Sequence, residues 1–300
     1  MKILIIGGNS FIGQNLIKKI DKKENKIFIG NSNLSKKKPP INSEVINIHL
    51  NLLDKSAIFE AISKINPDTI INLASIRNNT STYLNEMFDV NVTGINNIFK
   101  SCIELQIFPH FIFTSAMGVY NYHNPLYTPV DEDHPTNPID EYGLTKLLGE
   151  KICKFYSENK FKTTILRIPG VYGQGKSSGF IYNLLNPANK NIFVSLSSKN
   201  IVRDFIYVDD VVKSIVLSIT YKNPCLFNLF NVSDGKGISL EEIVEYANKI
   251  TNKVFNISYS NLYSNYEFFM DNSKSQKELG FEPTNIYEGM EKFWKLLTRN

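Results

Sequence analysis

The chain has 300 residues, 42% of them hydrophobic and 21% charged, and its 33 basic and 29 acidic side chains give a net charge of +4. This length and composition exclude a miniprotein or a disordered chain and can supply one large α/β domain, or a ligand-binding domain with a smaller appendage. Lysines are spread along the chain apart from Lys36, Lys37 and Lys38, which argues against a nucleic-acid partner because no basic stripe is formed.

Short apolar runs alternate with helical periodicity through the first half of the chain. They predict strands at residues 2–6, 26–29, 45–48, 69–73 and 110–115 and helices that begin near Phe11, Lys55 and Ser81. Strands separated by such helices form a parallel sheet that is covered on both faces. We therefore predict a doubly wound α/β fold with ligands beyond the carboxyl ends of the strands.

The pattern changes after Asn121, where four prolines between residues 125 and 138 mark a loop of the kind that covers a site. A helix over 140–159 and a strand over 163–168 follow. From Gly173 onward the elements become shorter, with one helix after Ser239 and a last one over 287–297. This pattern predicts a smaller, mixed lobe over the sheet.

The first strand runs into the turn Gly7-Gly-Asn-Ser-Phe-Ile-Gly13. Gly7 allows a sharp turn, the following helix directs free amides and its positive dipole end at a pyrophosphate, and Gly13 allows helix and strand to pack closely. Ser10 stands where a middle glycine would be. Although a glycine turn also occurs for purely structural reasons, this one predicts a dinucleotide site.

Tyr142-Gly-Leu-Thr-Lys146 places a phenol and an ammonium one turn apart on the same helix face. A cation there stabilises the phenolate and lets the tyrosine exchange a proton with a substrate hydroxyl or carbonyl. An exposed Tyr/Lys pair is the alternative interpretation. Together with the amino-terminal turn, the pair favours catalysis.

The ordered motifs resemble the extended short-chain dehydrogenase/reductase family, which contains nucleotide-sugar epimerases, dehydratases and ketoreductases. Besides the turn and the Tyr/Lys pair, the resemblance rests on Asn51-Leu-Leu-Asp54, Pro67-Asp-Thr-Ile-Ile-Asn-Leu-Ala74, Asn91-Val-Thr-Gly94, Phe113-Thr-Ser-Ala-Met-Gly-Val-Tyr120, Leu166-Arg-Ile-Pro-Gly-Val-Tyr-Gly173, Arg203-Asp-Phe-Ile-Tyr-Val-Asp-Asp210 and Asp271-Asn-Ser-Lys. It implies a Rossmann-like dinucleotide-binding domain over 1–170. The substrate lobe would occupy 171–300, with the chain crossing back to the sheet.

The resemblance also implies roles for single residues. Tyr142 would be the acid/base, while Lys146 would hold the nicotinamide ribose. The other cofactor-binding residues would be Gly7, Asn9, Ser10, Phe11, Ile12 and Gly13 around the pyrophosphate, Leu53 and Asp54 at the adenine, Leu73, Ala74, Ser75 and Asn91 along the dinucleotide path, and Pro169 beside the carboxamide.

Three residues are expected to contact the substrate, namely Arg77, Met117 and Arg203. The resemblance implies that Arg203 reaches the diphosphate of a nucleotide-sugar, for which a guanidinium fork is well suited. The alternative for Arg203 is an ion pair with Asp204 or Asp209. We expect Asp209 and Asp210 to cap the helix that follows.

Ala116 is a departure from the family, because it occupies the position of the catalytic serine or threonine. A methyl group cannot donate the hydrogen bond that steadies the substrate oxygen. Ser115 is our candidate replacement, but adjacent side chains of a strand point to opposite faces, so it would need a twisted or bulged strand end. Thr114 shares the face of Ala116 at a deeper position.

Other departures narrow the reaction. Met117 and Gly118 stand where the sugar 4,6-dehydratases carry an Asp-Glu pair, which disfavours elimination of water, and no Cys/His pair offers epimerisation next to a ketone. A second phosphate-binding arginine, expected shortly before Asp271, is missing from residues 260–266. Hydride transfer at one sugar carbon remains. The first choice is a 4-ketoreductase, with a 4-epimerase and a catalytically weakened binding or scaffold protein as alternatives.

The end of the second strand bears on the choice of cofactor. An acidic residue there would accept hydrogen bonds from the ribose of NAD and repel the phosphate of NADP. Here the chain reads Gly30-Asn31-Ser32-Asn33 and continues toward Lys36 to Lys38. Asn31 and Ser32 are therefore candidate cofactor-binding residues, and NADP is favoured over NAD, unless the lysines only form a solvated loop.

Cellular context and assembly complete the predictions. No apolar run approaches the roughly 18 residues of a membrane span, and no signal-peptide region is evident, so we expect a cytoplasmic protein without a membrane partner. Cys102, Cys153 and Cys225 follow no disulfide or zinc pattern and are expected to be buried. The resemblance implies a homodimer formed through helices over 81–105 and 140–159.

Overall fold

A computed structural model describes residues 1–32, 45–77, 84–189, 192–196, 198, 201–260 and 266–299. The helix start predicted near Ser81, the lysine loop at 36–38 and most of the segment 260–266 lie outside these described residues.

The described elements alternate between strands and helices through the first half of the chain. The strands are β1 Lys2–Ile6, β2 Lys26–Asn31, β3 Val45–His49, β4 Thr69–Asn72, β5 His110–Ala116, β6 Thr163–Ile168, β7 Gly170–Tyr172, β8 Ile192–Leu196, β9 Val202–Arg203, β10 Phe205–Tyr207, β11 Phe227–Asn231, β12 Ile238–Ser239 and β13 Phe255–Tyr259. The helices are α1 Phe11–Lys19, α2 Lys55–Ile65, α3 Leu84–Phe88, α4 Gly94–Leu105, α5 Glu141–Ser157, α6 Phe180–Leu185, α7 Val208–Thr220, α8 Leu240–Thr251, α9 Ser273–Leu279 and α10 Ile286–Thr298. A π-helical turn, Asp89–Thr93, joins α3 to α4, and a 3-10 turn, Met117–Val119, follows β5.

Seven described strands form one parallel sheet in the order β11-β6-β5-β4-β1-β2-β3. Alternate residues of β1 enter two separate cores: Ile3 and Ile5 pack with residues of α1 and α7, whereas Leu4 and Ile6 pack with residues of α2, α4 and α5. Because apolar side chains leave both faces of the strands, helices cover both faces. The predicted doubly wound sheet is confirmed.

The chain order reverses between β1 and β4. From β1 the sheet grows outward through β2 and β3, and the chain then returns to place β4 on the other side of β1. In an open α/β sheet this switch point leaves a crevice beyond the carboxyl ends of the strands. The glycine turn after β1 lies at this crevice.

A smaller lobe follows β6 and has a core of its own. Aromatic and aliphatic side chains from α6, β8, α8, β13 and α10 form that core. It contains short sheets, β8 with β13, β9 with β12, and β7 with β10. The chain also returns to the main sheet, because β11 pairs in parallel with β6.

Three expectations for individual residues are wrong. Tyr207, without a side-chain bond, is the N-cap of α7, so Asp209 and Asp210 lie inside its first turn. Asp210 instead accepts from the backbone N–H and the hydroxyl of Thr284, both at 2.9 Å. Cys102 and Cys153 are buried, but Cys225 is exposed.

Candidate active site

A cavity of about 510 Å³ lies at the switch point. Most of the residues predicted to hold the dinucleotide border it, namely Gly7, Asn9, Ser10, Asn31, Ser32, Leu53, Leu73, Ala74 and Ser75. The structure thus brings together residues from four separate segments of the sequence. Each segment follows the carboxyl end of one of the four strands β1 to β4.

The start of α1 packs closely against the glycine turn that follows β1. Ser10 is the N-cap and its hydroxyl accepts from the Gly13 N–H at 3.1 Å. A Cβ atom at Gly13 would lie 2.5 Å from the Gly8 carbonyl oxygen and 2.7 Å from that of Gly7. Because these neighbours are backbone atoms, only glycine fits, and the helix N-terminus stays open toward the cavity.

Two buried side-chain amide nitrogens lack hydrogen-bond partners, that of Asn31, which borders the cavity, and that of Asn72 at the end of β4. Asn31 accepts from the Asn9 N–H at 3.1 Å, while its Nδ2 has no hydrogen bond. The Nδ2 of Asn72 is likewise buried without a partner. Buried donors of this kind are costly unless a ligand satisfies them. Together with the start of α1 at Ser10, the free Asn31 nitrogen fits a bound dinucleotide.

A second cavity of about 580 Å³ adjoins the first, and Leu73 and Ser75 border both. Its lining includes the predicted pair Tyr142 and Lys146, and also the predicted residues Phe11, Ile12, Ser115, Pro169, Arg77, Met117 and Arg203. The cavity therefore connects the dinucleotide crevice to side chains of the smaller lobe.

Helix α5 starts at this second cavity because Asp140 caps it. The Asp140 carboxylate accepts from the Gly143 N–H at 2.6 Å and from the Tyr122 hydroxyl at 3.3 Å. A Cβ atom at Gly143 would collide with the backbone of Gly118, at 2.0 Å from its oxygen. Glycine at 143 thus lets the start of α5 lie against the 3-10 turn that follows β5.

Cations surround the Tyr142 ring. The Lys146 ammonium lies 5.6 Å from the ring centroid and donates to the Thr114 carbonyl at 3.0 Å. The Arg77 guanidinium lies 5.1 Å from the same centroid. Lys146 is 3% exposed, so its charge acts in a poorly solvated position. Two cations thus lie beside the phenol ring at the cavity.

The structure directs the Ser115 hydroxyl away from the Tyr142 side of the cavity. Its oxygen donates to the Glu150 carboxylate at 2.5 Å. Glu150 also receives two bonds from Arg167, at 3.0 and 2.7 Å, and Arg167 contacts the Tyr120 hydroxyl at 2.6 Å. The prediction that Ser115 replaces the donor missing at Ala116 is therefore wrong, because strand alternation directs the Ser115 hydroxyl toward α5. Thr114 is also occupied, since its hydroxyl donates to the Asn72 carbonyl.

Arg203 lies among aromatic rings. Its guanidinium carbon is 4.0 Å from the Tyr266 ring centroid and 5.6 Å from that of Tyr122. Burial lowers the pKa of Arg203 to about 10, and Tyr122 opposes this shift. Its Nη1 is buried without a partner. A stacked, charged guanidinium with a free donor suits an anionic ligand.

The alternative ion pairs of Arg203 do not form. Asp204 accepts from the Met270 N–H at 2.9 Å, and Asp209 pairs with Lys19 at 3.7 Å. Because both carboxylates are bonded elsewhere, Arg203 remains available to a ligand in the second cavity.

Three predicted cofactor residues, Gly13, Asp54 and Asn91, line neither cavity. Asn91 is buried, with its amide bonded to the Ile76 backbone, Ser75 and Thr145. It holds the chain after β4 against α5. Asp54 caps α2 through the Ala57 N–H at 3.0 Å. The Asn91 and Asp54 side chains both bond to neighbouring protein groups in this structure, and their contact with the dinucleotide stays a prediction.

Sequence reasoning missed several residues of the second cavity, among them Tyr122, Asp140, Lys176 and Tyr182. The signal for Lys176 was its glycine-rich surroundings, Gly173-Gln-Gly-Lys-Ser-Ser-Gly179. The signal for Asp140 was its position just before the helix, which is typical of an N-cap.

A glycine turn at the switch point of a parallel sheet, joined by one cavity to a Tyr-x-x-x-Lys helix, defines a dinucleotide-binding protein of the short-chain dehydrogenase/reductase type. Residues 3–231 match the model of the NAD dependent epimerase/dehydratase family. The chain belongs to that family.

Curated relatives support the assignment. A putative UDP-glucose 4-epimerase of Methanocaldococcus jannaschii is 31% identical over 81% of this chain and 80% of its own length. The dTDP-4-dehydro-6-deoxyglucose reductase of Escherichia coli is 29% identical over 98% of this chain and 96% of its own.

Among solved structures, UDP-glucose 4-epimerase of Thermotoga maritima with UDP-glucose superimposes with a TM-score of 0.86 at 22% identity, covering 100% of this chain and 99% of that one. The fold is therefore shared along the whole chain. No helix in the described segments is both long and apolar enough to span a membrane.

Proposed function

We propose that this chain catalyses NAD(P)-dependent hydride transfer at carbon 4 of a nucleotide-activated sugar, acting as a 4-ketoreductase. The observation that carries the proposal is the position of Tyr142 and Lys146 on a cavity that opens into the dinucleotide crevice. Met117 and Gly118 line the place where a dehydratase would carry its acid and base, so simple hydride transfer is the favoured chemistry.

Each side chain has a defined task in this proposal. The bound nicotinamide cofactor supplies or accepts the hydride. Tyr142 gives its phenol proton to the carbonyl oxygen, and the Lys146 ammonium stabilises the phenolate left behind. Arg203 holds the diphosphate through its free Nη1, while the rings of Tyr122 and Tyr266 keep the guanidinium in place.

The test offers the enzyme 4-keto sugars that carry UDP, GDP, CDP or dTDP, together with reduced cofactor. Reduction of the sugar is measured as oxidation of the cofactor. Tyr142→Phe removes the proton donor and is expected to lower kcat by about 10²–10⁴-fold. Dinucleotide binding, followed by fluorescence, stays unchanged in this variant. A Tyr142→Phe enzyme with full activity would refute the mechanism, and wild-type binding without turnover of any sugar would favour the binding-protein alternative.

A 4-epimerase is the second candidate, because relatives named as UDP-glucose 4-epimerases match most of the chain. Epimerisation returns the hydride to the opposite face of the same sugar and consumes no cofactor. Incubation with UDP-glucose therefore separates the candidates. Formation of the 4-epimer without net cofactor oxidation supports the epimerase, whereas stoichiometric oxidation with a ketone substrate supports the reductase.

For the cofactor, we propose that NADP binds at least as well as NAD. Asn31 and Ser32 border the crevice, and neither carries a charge that repels a ribose phosphate. Solved structures of the same fold, including a Bordetella bronchiseptica enzyme with NAD and UDP, contain NAD. Calorimetric titration with both dinucleotides measures the preference.

We propose a homodimer formed through α4 and α5. Phe155 is 60% exposed and borders a shallow apolar hollow with Val92, Leu148 and Ile152. Contiguous exposed apolar patches of this kind mark interfaces, whereas a single exposed apolar side chain does not. Phe155→Glu is expected to yield monomers in light scattering, while Phe193→Glu, at a phenylalanine 79% exposed on β8, leaves the dimer intact. A Phe155→Glu dimer would refute this interface.

We also propose the division of the chain into a dinucleotide-binding domain over 1–170 and a substrate lobe over 171–300. The separate core around Tyr172, Leu184 and Phe293 supports it. A cytoplasmic location is proposed because the dinucleotide and the nucleotide-sugar are metabolites of that compartment.

A further inference from the structure

The second cavity lacks a donor at the place where the family carries a serine or threonine. Ala116 offers only a methyl group, Ser115 is bonded to Glu150, and Thr114 is bonded to the Asn72 carbonyl. The end of β5 then donates no side-chain hydrogen bond to a reacting oxygen beside Tyr142. Loss of one such donor typically costs about 10²–10³-fold in kcat.

A loop on another wall of the cavity carries Lys176, a cation that has no role in the mechanism proposed above. Lys176 lies between β7 and α6 in a segment with three glycines at positive φ, +128° at Gly173, +90° at Gly175 and +104° at Gly179. Asn15 of α1 tethers the loop by donating to the Gln174 carbonyl at 2.9 Å. These features give the loop a conformation that most residues would not adopt.

Lys176 is half-buried and borders the same cavity as Ala116 and Tyr142. Its ammonium lies 5.3 Å from the Phe11 ring centroid, and no carboxylate of the described residues forms an ion pair with it. Burial lowers its pKa, Arg77 lowers it further, and Tyr142 raises it. The phenol is thus the neighbour that favours the charged form.

We propose that Lys176 is a catalytic residue that donates to the reacting sugar oxygen the hydrogen bond that Ala116 cannot supply. This inference rests on the proposed hydride transfer. During reduction a C–H bond forms at the carbonyl carbon from the hydride of the reduced cofactor, and the Tyr142 O–H bond breaks as its proton moves to the carbonyl oxygen. Lys176 keeps all its protons and stabilises the negative charge that develops on that oxygen.

The test is a double-mutant cycle between Lys176→Met and Ala116→Ser, with single-turnover hydride transfer as the readout. Lys176→Met is expected to lower the rate by about 10²-fold. Ala116→Ser should raise the rate at least about tenfold in the Lys176→Met background and by a clearly smaller factor in wild type, because the new hydroxyl replaces a donor that only the Lys176→Met background lacks. Lys64→Met, on the outer side of α2, controls for loss of a lysine.

Dinucleotide binding, measured by calorimetry without substrate, is the second readout. Lys176→Met is expected to leave it unchanged. Equal effects of Ala116→Ser in both backgrounds, or a loss confined to dinucleotide affinity, would overturn the inference and make Lys176 a cofactor-binding residue. If instead Tyr142→Phe retains full activity, the proposed function itself fails, so the two failures are distinguishable.

Discussion

The buried pair of Glu150 and Arg167 provides the sharpest test of how the site is held. Both side chains are at most 5% exposed, and two hydrogen bonds join them, at 3.0 and 2.7 Å. Burial alone would lower the pKa of Arg167, but the hydrogen bond and charge of Glu150 raise it. Arg167→Met removes the cation and leaves the Glu150 carboxylate with the Ser115 hydroxyl.

Breaking a buried pair in this way costs about 3–5 kcal/mol of the free energy of unfolding. With a urea m-value of about 3 kcal/mol/M, the unfolding midpoint should fall by about 1–1.7 M. The exposed pair of Glu288 and Lys292, 2.7 Å apart one turn along α10, is the matched control. Lys292→Met should cost no more than about 0.5 kcal/mol.

The double variant Glu150→Leu with Arg167→Met distinguishes pairing from packing. Because it removes both charges, it should lose less stability than Arg167→Met alone. Urea unfolding followed by far-UV circular dichroism measures these four proteins and the single variant Glu150→Leu, which additivity requires. If Arg167→Met costs less than 1 kcal/mol, or if the two changes add, the buried charge is not what makes this position sensitive.

Three further outcomes are expected. Asn31→Asp should lower the affinity for NADP relative to NAD by about tenfold or more, measured by calorimetry, because a carboxylate repels the ribose phosphate; an unchanged ratio would contradict this account. Gly13→Ala should weaken dinucleotide binding at least about tenfold, since its Cβ would lie 2.5 Å from the Gly8 oxygen; unaltered thermal shifts with NAD would refute the close approach. Burial, with a smaller effect of Lys162, lowers the pKa of His110 to about 3 from an ordinary 6.5. The unfolded state therefore binds an extra proton between these values, so stability is full above pH 6.5 and falls by up to about 1.4 kcal/mol per pH unit below it. Denaturant curves of wild type and His110→Gln at pH 7 and 5 check this, and parallel losses would exclude His110 as the source.

The sequence predicted the sheet well because its signals are local. The β1 and β6 bounds were predicted to the residue, since apolar runs such as Lys2–Ile6 end at glycine or proline. The glycine turn and the Tyr142/Lys146 spacing were legible for the same reason. In the site, strand alternation correctly warned that Ser115 faces away from Ala116.

Contacts between residues that lie far apart in the sequence could not be predicted from the sequence. The partner of Ser115 is Glu150, 35 residues later, and the ring that stacks on Arg203 belongs to Tyr266. Lys176 reaches the cavity from a loop that Asn15 of α1 tethers. Such contacts depend on how elements pack, and no periodicity in the chain reports them.

Tyr142, Lys146 and Glu150 follow one another at intervals of four along α5. Each step advances about 6 Å along the axis and about 40° around it. The helix spacing therefore fixes three groups relative to one another. They are the phenol at the cavity, the ammonium that bonds to the β5 backbone and the carboxylate that pairs with Arg167. Deleting one residue between Lys146 and Glu150 would rotate Tyr142 by about 100° around the helix axis relative to Glu150. A change in the length of α5 between Lys146 and Glu150 would therefore move the phenol and the ammonium together, while Glu150 stays bonded to Arg167.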